Sequence, residues 1–342
     1  MKRKLIVALF LIVAAALGWW AFWGWATRRA EAEPIAFIAQ ETGRGRVWAC
    51  GSRRMQGFPK DFELVCDDPS VTIAQISGPP AVWRLKGVVA TTQATRATSA
   101  RVLLVGPATL THGDLPPVKV DWSFLEIGLQ GLPNPTRVSV WRTGPRLEAA
   151  GAPPLAAESV KASIDLASTP SVALPAGGAR LGLSINALAF APLAELIKTP
   201  TLNLETHGDL AQAAALAAPG GTPARLESWR VAGGRLDIRK IHVWSSQAGG
   251  PTIKGEARLG LDEAHRLAGE ANLSAKGLDE IARAFGLNLD AAAVGGLLGG
   301  LLGGKAKTAP TEPGAIPMPL RFEKGAVWYG PLKTPILLPP IY

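Results

Sequence analysis

Two cysteines and four histidines are the side chains of this 342-residue chain whose chemistry has to be weighed first. Cys50 and Cys66 lie sixteen positions apart around Gly57-Phe58-Pro59. A redox pair favours Cys-x-x-Cys spacing. A structural zinc site needs four ligands, and no histidine lies within forty residues of either cysteine. The flanks read as strand: Val47-Trp48-Ala49 leads in, and Phe62-Glu63-Leu64-Val65 alternates on the way out. Folding the segment about Phe58 sets the cysteines opposite each other. A close antiparallel pair has its Cα atoms about 4.5 Å apart, within the span of about 4.4–6.8 Å that a disulfide bridges. Such a staple would contribute about 3 kcal/mol. The geometry favours it over two unlinked buried thiols, the alternative that stays open. A bridge requires an oxidising compartment.

Catalytic chemistry is harder to find. His112, His207, His242 and His265 form no His-x-x-x-His pair, and none stands near a Gly-x-Ser-x-Gly elbow. His112 and His207 each precede Gly-Asp, which reads as loop, and His242 alternates with Ile241 and Val243 on a polar strand face. Gly43-Arg44-Gly45-Arg46 is followed by neither Lys-Ser nor a helix start, so it is no phosphate loop. Asp67 and Asp68 are adjacent, so in a strand they point to opposite faces. The sequence therefore predicts no enzyme, no metal and no cofactor; a hydrolase lacks its nucleophile and base.

The elements that would position any site begin with a basic head. Residues 1–4 contain Lys2, Arg3 and Lys4, residues 5–26 are uncharged, and Arg28 and Arg29 close the run. Twenty-two residues of helix span about 33 Å, enough for a hydrocarbon core of about 30 Å. Trp19, Trp20, Phe22, Trp23 and Trp25 crowd the far end, as an aromatic belt at a membrane interface does. A cleaved signal peptide is the rival reading, with Ala30-Glu31-Ala32 as its site; the run is longer than such peptides use and ends in Trp and Arg. The expectation is an uncleaved signal anchor over 5–26, with the head in the cytoplasm and the body outside it.

Past residue 30 the chain is dominated by short alternating strands broken by 38 glycines and 28 prolines. Val118-Lys119-Val120-Asp121-Trp122, Arg137-Val138-Ser139-Val140-Trp141 and Leu236 to Trp244 are examples. One wet face and one buried face mean antiparallel sheet. The predicted class is mostly β: long twisted antiparallel sheet with a few short helices, behind one transmembrane helix. Helical spacing occurs over 192–198, opened by Pro192, and near 278–286, with Leu278, Ile281, Ala282 and Phe285 on one face. A composition shift at 149–159 suggests an N-terminal module, 27–150, and a C-terminal one, 151–342. Thr-His-Gly-Asp-Leu occurs at 111–115 and again at 206–210, an echo of duplication or a coincidence. The run "GGLLGGLLGG", 295–304, reads as a packed loop, a flap over a groove, or a surface for lipid or a partner.

Charge bounds the partners. The net charge of +9 favours anionic surfaces. The basic residues are scattered singly along strands instead of clustering among aromatics, which excludes nucleic acid. Most of the eleven tryptophans are expected in the core or lining an apolar groove.

The basic head, the single span, the Cys…Gly-Phe-Pro…Cys segment, "ESWRVAGGRLDIRKIHVW", "GEARLGLDEAHRLAGEANLSAKGLDEI" and the ending "MPLRFEKGAVWYGPLKTPILLPPIY" resemble the alphaproteobacterial domain-of-unknown-function family 2125 over nearly the whole chain. That family implies no activity. Residues 225–342 are more distantly similar to AsmA-type envelope proteins. This likeness implies a twisted sheet whose concave apolar face shields lipid chains near a membrane. The combined expectation is an inner-membrane, single-pass protein with a periplasmic β body. It would bind phospholipid or another envelope lipid; the alternative is a scaffold whose partners are other envelope proteins.

Overall fold

The computed structural model describes residues 2–43, 45–57, 60–73, 79–93, 96–166, 177–218, 220–277 and 315–342. The expected helix near 278–286 and the 295–304 run lie outside them. Twenty antiparallel strands of the described residues belong to one sheet. In chain order these are β1 (Arg46–Ala49), β2 (Ser52–Gln56), β3 (Asp61–Asp67), β4 (Ser70–Ile73), β5 (Ala81–Gln93), β6 (Arg96–His112), β7 (Leu115–Asp121), β8 (Phe124–Gln130), β9 (Arg137–Thr143), β10 (Arg146–Ala149) and β11 (Leu155–Ala156). There follow β12 (Ser159–Leu166), β13 (Ala179–Phe190), β14 (Leu202–Ala211), β15 (Arg235–Ser245), β16 (Thr252–Leu261), β17 (Leu267–Lys276), β18 (Ile316–Glu323), β19 (Ala326–Tyr329) and β20 (Leu332–Leu337). The helices are α1 (Lys2–Gly43), α2 (Ala191–Ile197) and α3 (Thr222–Val231).

The main ladder runs β2-β3-β5-β6-β8-β9-β12 and then strand by strand from β13 to β20. Fifteen strands at the usual spacing reach roughly 65–70 Å, a width at which open sheets twist and curl. Bulges supply the bends: the register slips between Leu85 and Gly87 against β6, and between Ile185 and Leu188 against β14. At the first bulge the long strands β5 and β6 divide their partners. Their Ala81/His112 ends pair with β4 and β7, while their other ends pair with β3 and β8. From β7 a branch continues through β10 and β11 and rejoins the ladder at β13. Hydrogen bonding is continuous across residue 150, the boundary read from composition, since β9 pairs with β12.

Alternation explains these strands, and the cores are modest. Val71, Ala81, Ala108 and Val120 are buried on β4, β5, β6 and β7; Ala257, Ala271, Ala275 and Ile316 are buried in the C-terminal ladder. At the end of the β14–β15 hairpin α3 sets Trp229 down on Gly234, where a Cβ would come within 2.3 Å of the indole, and the indole Nε1–H donates to the Ala211 carbonyl at 2.8 Å. The chain end is tied to the same helix. Tyr342 stacks on His265 at 4.3 Å and its hydroxyl donates to Glu227 at 2.9 Å.

Two expectations need adjusting. The N-terminal helix does not stop near residue 26: α1 continues past Arg28, Arg29 and Pro34 to Gly43, because the Ala-, Glu- and Gln-rich stretch that follows is itself helix-forming. Phe10, Leu11, Ile12, Leu17, Trp20 and Trp25 on it are exposed. Among the described residues no helix is long and apolar enough to cross a membrane; the side chains of residues 5–9, the start of the expected span, lie outside the described ones. Cys50 and Cys66 are disulfide-bonded with Cα atoms 5.7 Å apart, but not as a direct cross-strand pair. The β2–β3 register sets Arg53 opposite Cys66. The chain bends at Cys50-Gly51, where Gly51 N–H donates to Asp67 O at 2.9 Å, and that bend brings Cys50 back to its partner.

Candidate functional surface

Register turns the alternation of single strands into two surfaces. From β8 to β19, omitting the branch strands, directly opposed residues read Leu129, Val138, Ile164, Leu181, Gly208, Ile238, Ala257, Ala271, Leu320 and Tyr329. Ten strands thus contribute one row with no charge, roughly 43 Å long at the usual strand spacing. Leu183 and Ile185 extend the same face on β13, and Val140 extends it on β9. Ala257 and Ala271 are buried, yet Ile164 is 42% exposed and Leu181 and Leu183 are half-buried. The middle of the face therefore keeps apolar area in contact with solvent.

One residue along, on the opposite face, the opposed residues are Gln130, Arg137, Asp165, Arg180, Asp209, Asp237, Arg258, Glu270, Arg321 and Trp328. Charges mostly alternate in sign, and neighbours pair. Arg137 binds Asp165. Arg180 and Arg239 reach Asp209 at 3.9 and 3.2 Å, and Arg235 and Arg258 reach Asp237 at 2.8 and 3.0 Å. Arg321 lies over the Trp328 ring at 5.0 Å. Opposite charges facing across strands support a sheet, each pair modestly.

Beside this ladder Gly128, Ser139, Ser163 and Gly182 stand opposite one another. Their small side chains leave a groove of about 450 Å³ between taller neighbours, walled by Trp141, Lys161, Glu205 and His207. Glu205 accepts from Lys240 at 2.8 Å and pairs with His207 at 3.0 Å; the Lys240 contact, then the His207 one, holds its carboxyl below the usual range. The groove is thus on the charged face, not on the apolar one.

The histidines do not converge. His112 closes the β6–β7 turn, His207 lies on the charged face, His242 stacks on Trp244 at 4.3 Å, and His265 sits in the β16–β17 turn. Among the described residues no three His, Cys, Asp or Glu side chains could hold a metal. Asp67 is engaged by Ser52 at 2.7 Å and Arg54 at 2.5 Å, which hold its carboxyl below the usual range.

Of the tryptophans expected at a membrane interface, Trp19, Trp20 and Trp25 are exposed, while Trp23 stacks on Phe62 of β3 with ring centroids 4.2 Å apart. The aromatic end of the helix thus rests against the body. One charge breaks the pattern of the apolar face. In "RVSVWRT" Val138, Val140 and Arg142 share a parity, which puts a guanidinium on the apolar face. The signal is an arginine in phase with valines.

The model of one family, described as "Uncharacterized protein conserved in bacteria" (DUF2125), matches residues 23–336. No curated protein and no solved structure matches the chain.

Proposed function

We propose that this chain, which belongs to the DUF2125 family, is an envelope protein held to the inner membrane by residues 5–26 and shielding lipid acyl chains on the apolar face of its sheet. The observation that carries this is the uncharged row across ten strands, with Ile164 and Leu166 more than two-fifths exposed. Apolar faces of this extent mark binding surfaces. Each methylene moved from water onto such a face gains about 0.8 kcal/mol. The uncharged run 5–26, with Phe10, Leu11, Ile12 and Leu17 exposed, supports the anchor, and the exposed Trp19, Trp20 and Trp25 fit its interface end, with Trp23 turned to the body beside them. The staple supports an oxidising compartment, and the net charge of +9 suits an anionic bilayer nearby.

The test is photo-crosslinking of the full chain, in neutral-lipid nanodiscs, with a fatty acid carrying a diazirine at mid-chain, followed by peptide mapping. Labelled peptides from β9, β12 and β13 are expected, with Leu183→Asp removing the label and Ser163→Asp, on the charged face, keeping it. Label confined to residues 10–25, or none, overturns the reading in favour of a scaffold.

A further inference from the structure

Arg142 is a charge in an apolar setting. Its neighbours along the face by register are Leu125 of β8 and Val160 of β12. The guanidinium lies over the Trp122 ring at 5.0 Å and donates one hydrogen bond, from Nη2 to the Asp121 carbonyl at 3.0 Å. Its Nε–H is buried with no acceptor. Nearly every other arginine on this sheet that makes an ionic contact meets a carboxylate; Arg142 pairs with none among the described residues. Asp121, the acid whose charge acts on it, has its carboxylate engaged by the Trp122 N–H at 2.9 Å and by Lys119 at 3.6 Å. Burial pushes the Arg142 pKa down, and the charge of Asp121 opposes that shift only in part. A half-buried guanidinium with no carboxylate hydrogen-bonded to it costs stability. It also offers planar, paired donors that suit phosphate and carboxylate oxygens.

We propose that Arg142 is the headgroup anchor of the apolar face, binding the phosphate or carboxylate of an anionic lipid whose chains run over Val140, Ala162 and Leu183. This rests on the acyl-chain reading and deepens it: the ligand is an anionic amphiphile, not a neutral one. The donors are Nε–H, now without a partner, and the terminal nitrogens not taken by Asp121. Trp122 keeps the guanidinium plane in place. A neutral lipid would leave the Nε–H buried and unpaired, and the loss of affinity follows from that.

The experiment compares two probes of equal chain length on the full chain in neutral-lipid nanodiscs: a diazirine fatty acid and its methyl ester. Wild type should label with the acid roughly tenfold more efficiently than with the ester, a ratio typical of a lost charged contact. Arg142→Gln should erase that ratio, chiefly by lowering labelling with the acid, and Arg142→Lys should restore part of it. Equal labelling of wild type by both probes overturns the anchor and leaves the apolar-face reading standing. Labelling by neither probe overturns that reading and the anchor with it. Protection of the acid site by millimolar inorganic phosphate alone would make this a free-anion site and overturn the amphiphile. Should Arg142→Gln fail to fold, the wild-type ratio decides by itself.

Discussion

At the residue scale the clearest contributions are those a single side chain makes alone. The staple closes a sixteen-residue separation at the corner where β1 gives way to β2. Cys66→Ser should cost about 2–4 kcal/mol in urea unfolding, the usual range for loops of this length. Reductant should cost wild type the same amount and leave the variant unaffected. Alkylation of denatured, unreduced protein from the native host should find no free thiol; two free thiols would remove the argument for an oxidising compartment. Glu227 is a second case. Arg230, donating at 2.7 and 2.8 Å, and then the Tyr342 hydroxyl hold its carboxyl at about 2. A carboxyl whose folded pKa lies below its unfolded value protonates first in the unfolded chain. Its stabilisation is therefore complete above about 4.5 and is lost as pH falls from there toward about 2. Stability measured against pH should fall less steeply across that window in Glu227→Gln than in wild type. Unchanged steepness would show that Glu227 does not hold the C-terminus down.

At the element scale the β16–β17 pair shows how tightly backbone can approach in this sheet. Gly269 has φ +133°, and a Cβ there would stand 2.1 Å from the Arg258 carbonyl oxygen. Gly269→Ala must both strain the backbone and push the strands apart, so a loss of about 1–3 kcal/mol is expected in thermal unfolding. A variant melting with wild type would show that the pair relaxes freely. The repeated Thr-His-Gly-Asp-Leu block teaches the converse. At 111–115 it is a two-residue turn, with His112 facing Leu115 and Gly113 at φ +54°. At 206–210 the same five residues lie inside β14, paired on both sides. Identical local sequence adopts two structures because the pairing partners differ, which removes the suggestion of duplicated modules.

At the scale of the whole molecule the two faces have opposed characters, and substitutions at adjacent residues should separate them. Leu181→Asp puts a carboxylate in the uncharged row, while Arg180→Gln removes one member of the ionic ladder. The first should destabilise by about 2–4 kcal/mol and abolish acyl labelling. The second should change stability by under about 1 kcal/mol, because Arg180 is itself exposed and 3.9 Å from the buried Asp209, whose carboxylate Arg239 reaches more closely at 3.2 Å. Equal effects would mean that the faces are not distinct.

The mostly β class, the antiparallel pairing and the existence of a wet and a dry face were legible in single strands, since side chains alternate with period two whatever lies beside them. Valines at 138 and 140, leucines at 181 and 183, and aspartates and arginines between their like declare their sides unaided. The cysteine bridge was legible in outline, because two strands around a Gly-Pro turn bring their ends together. Register was not. Whether Asp165 faces Arg137 and Arg180, whether Cys66 faces Cys50 or Arg53, and whether Arg142 is stranded among leucine and valine depend on partners tens of residues away and on bulges that shift the count by one. Local periodicity decides which side a residue takes, but only the assembled ladder decides its neighbours, because those contacts are non-local and a slip of one residue moves every one of them.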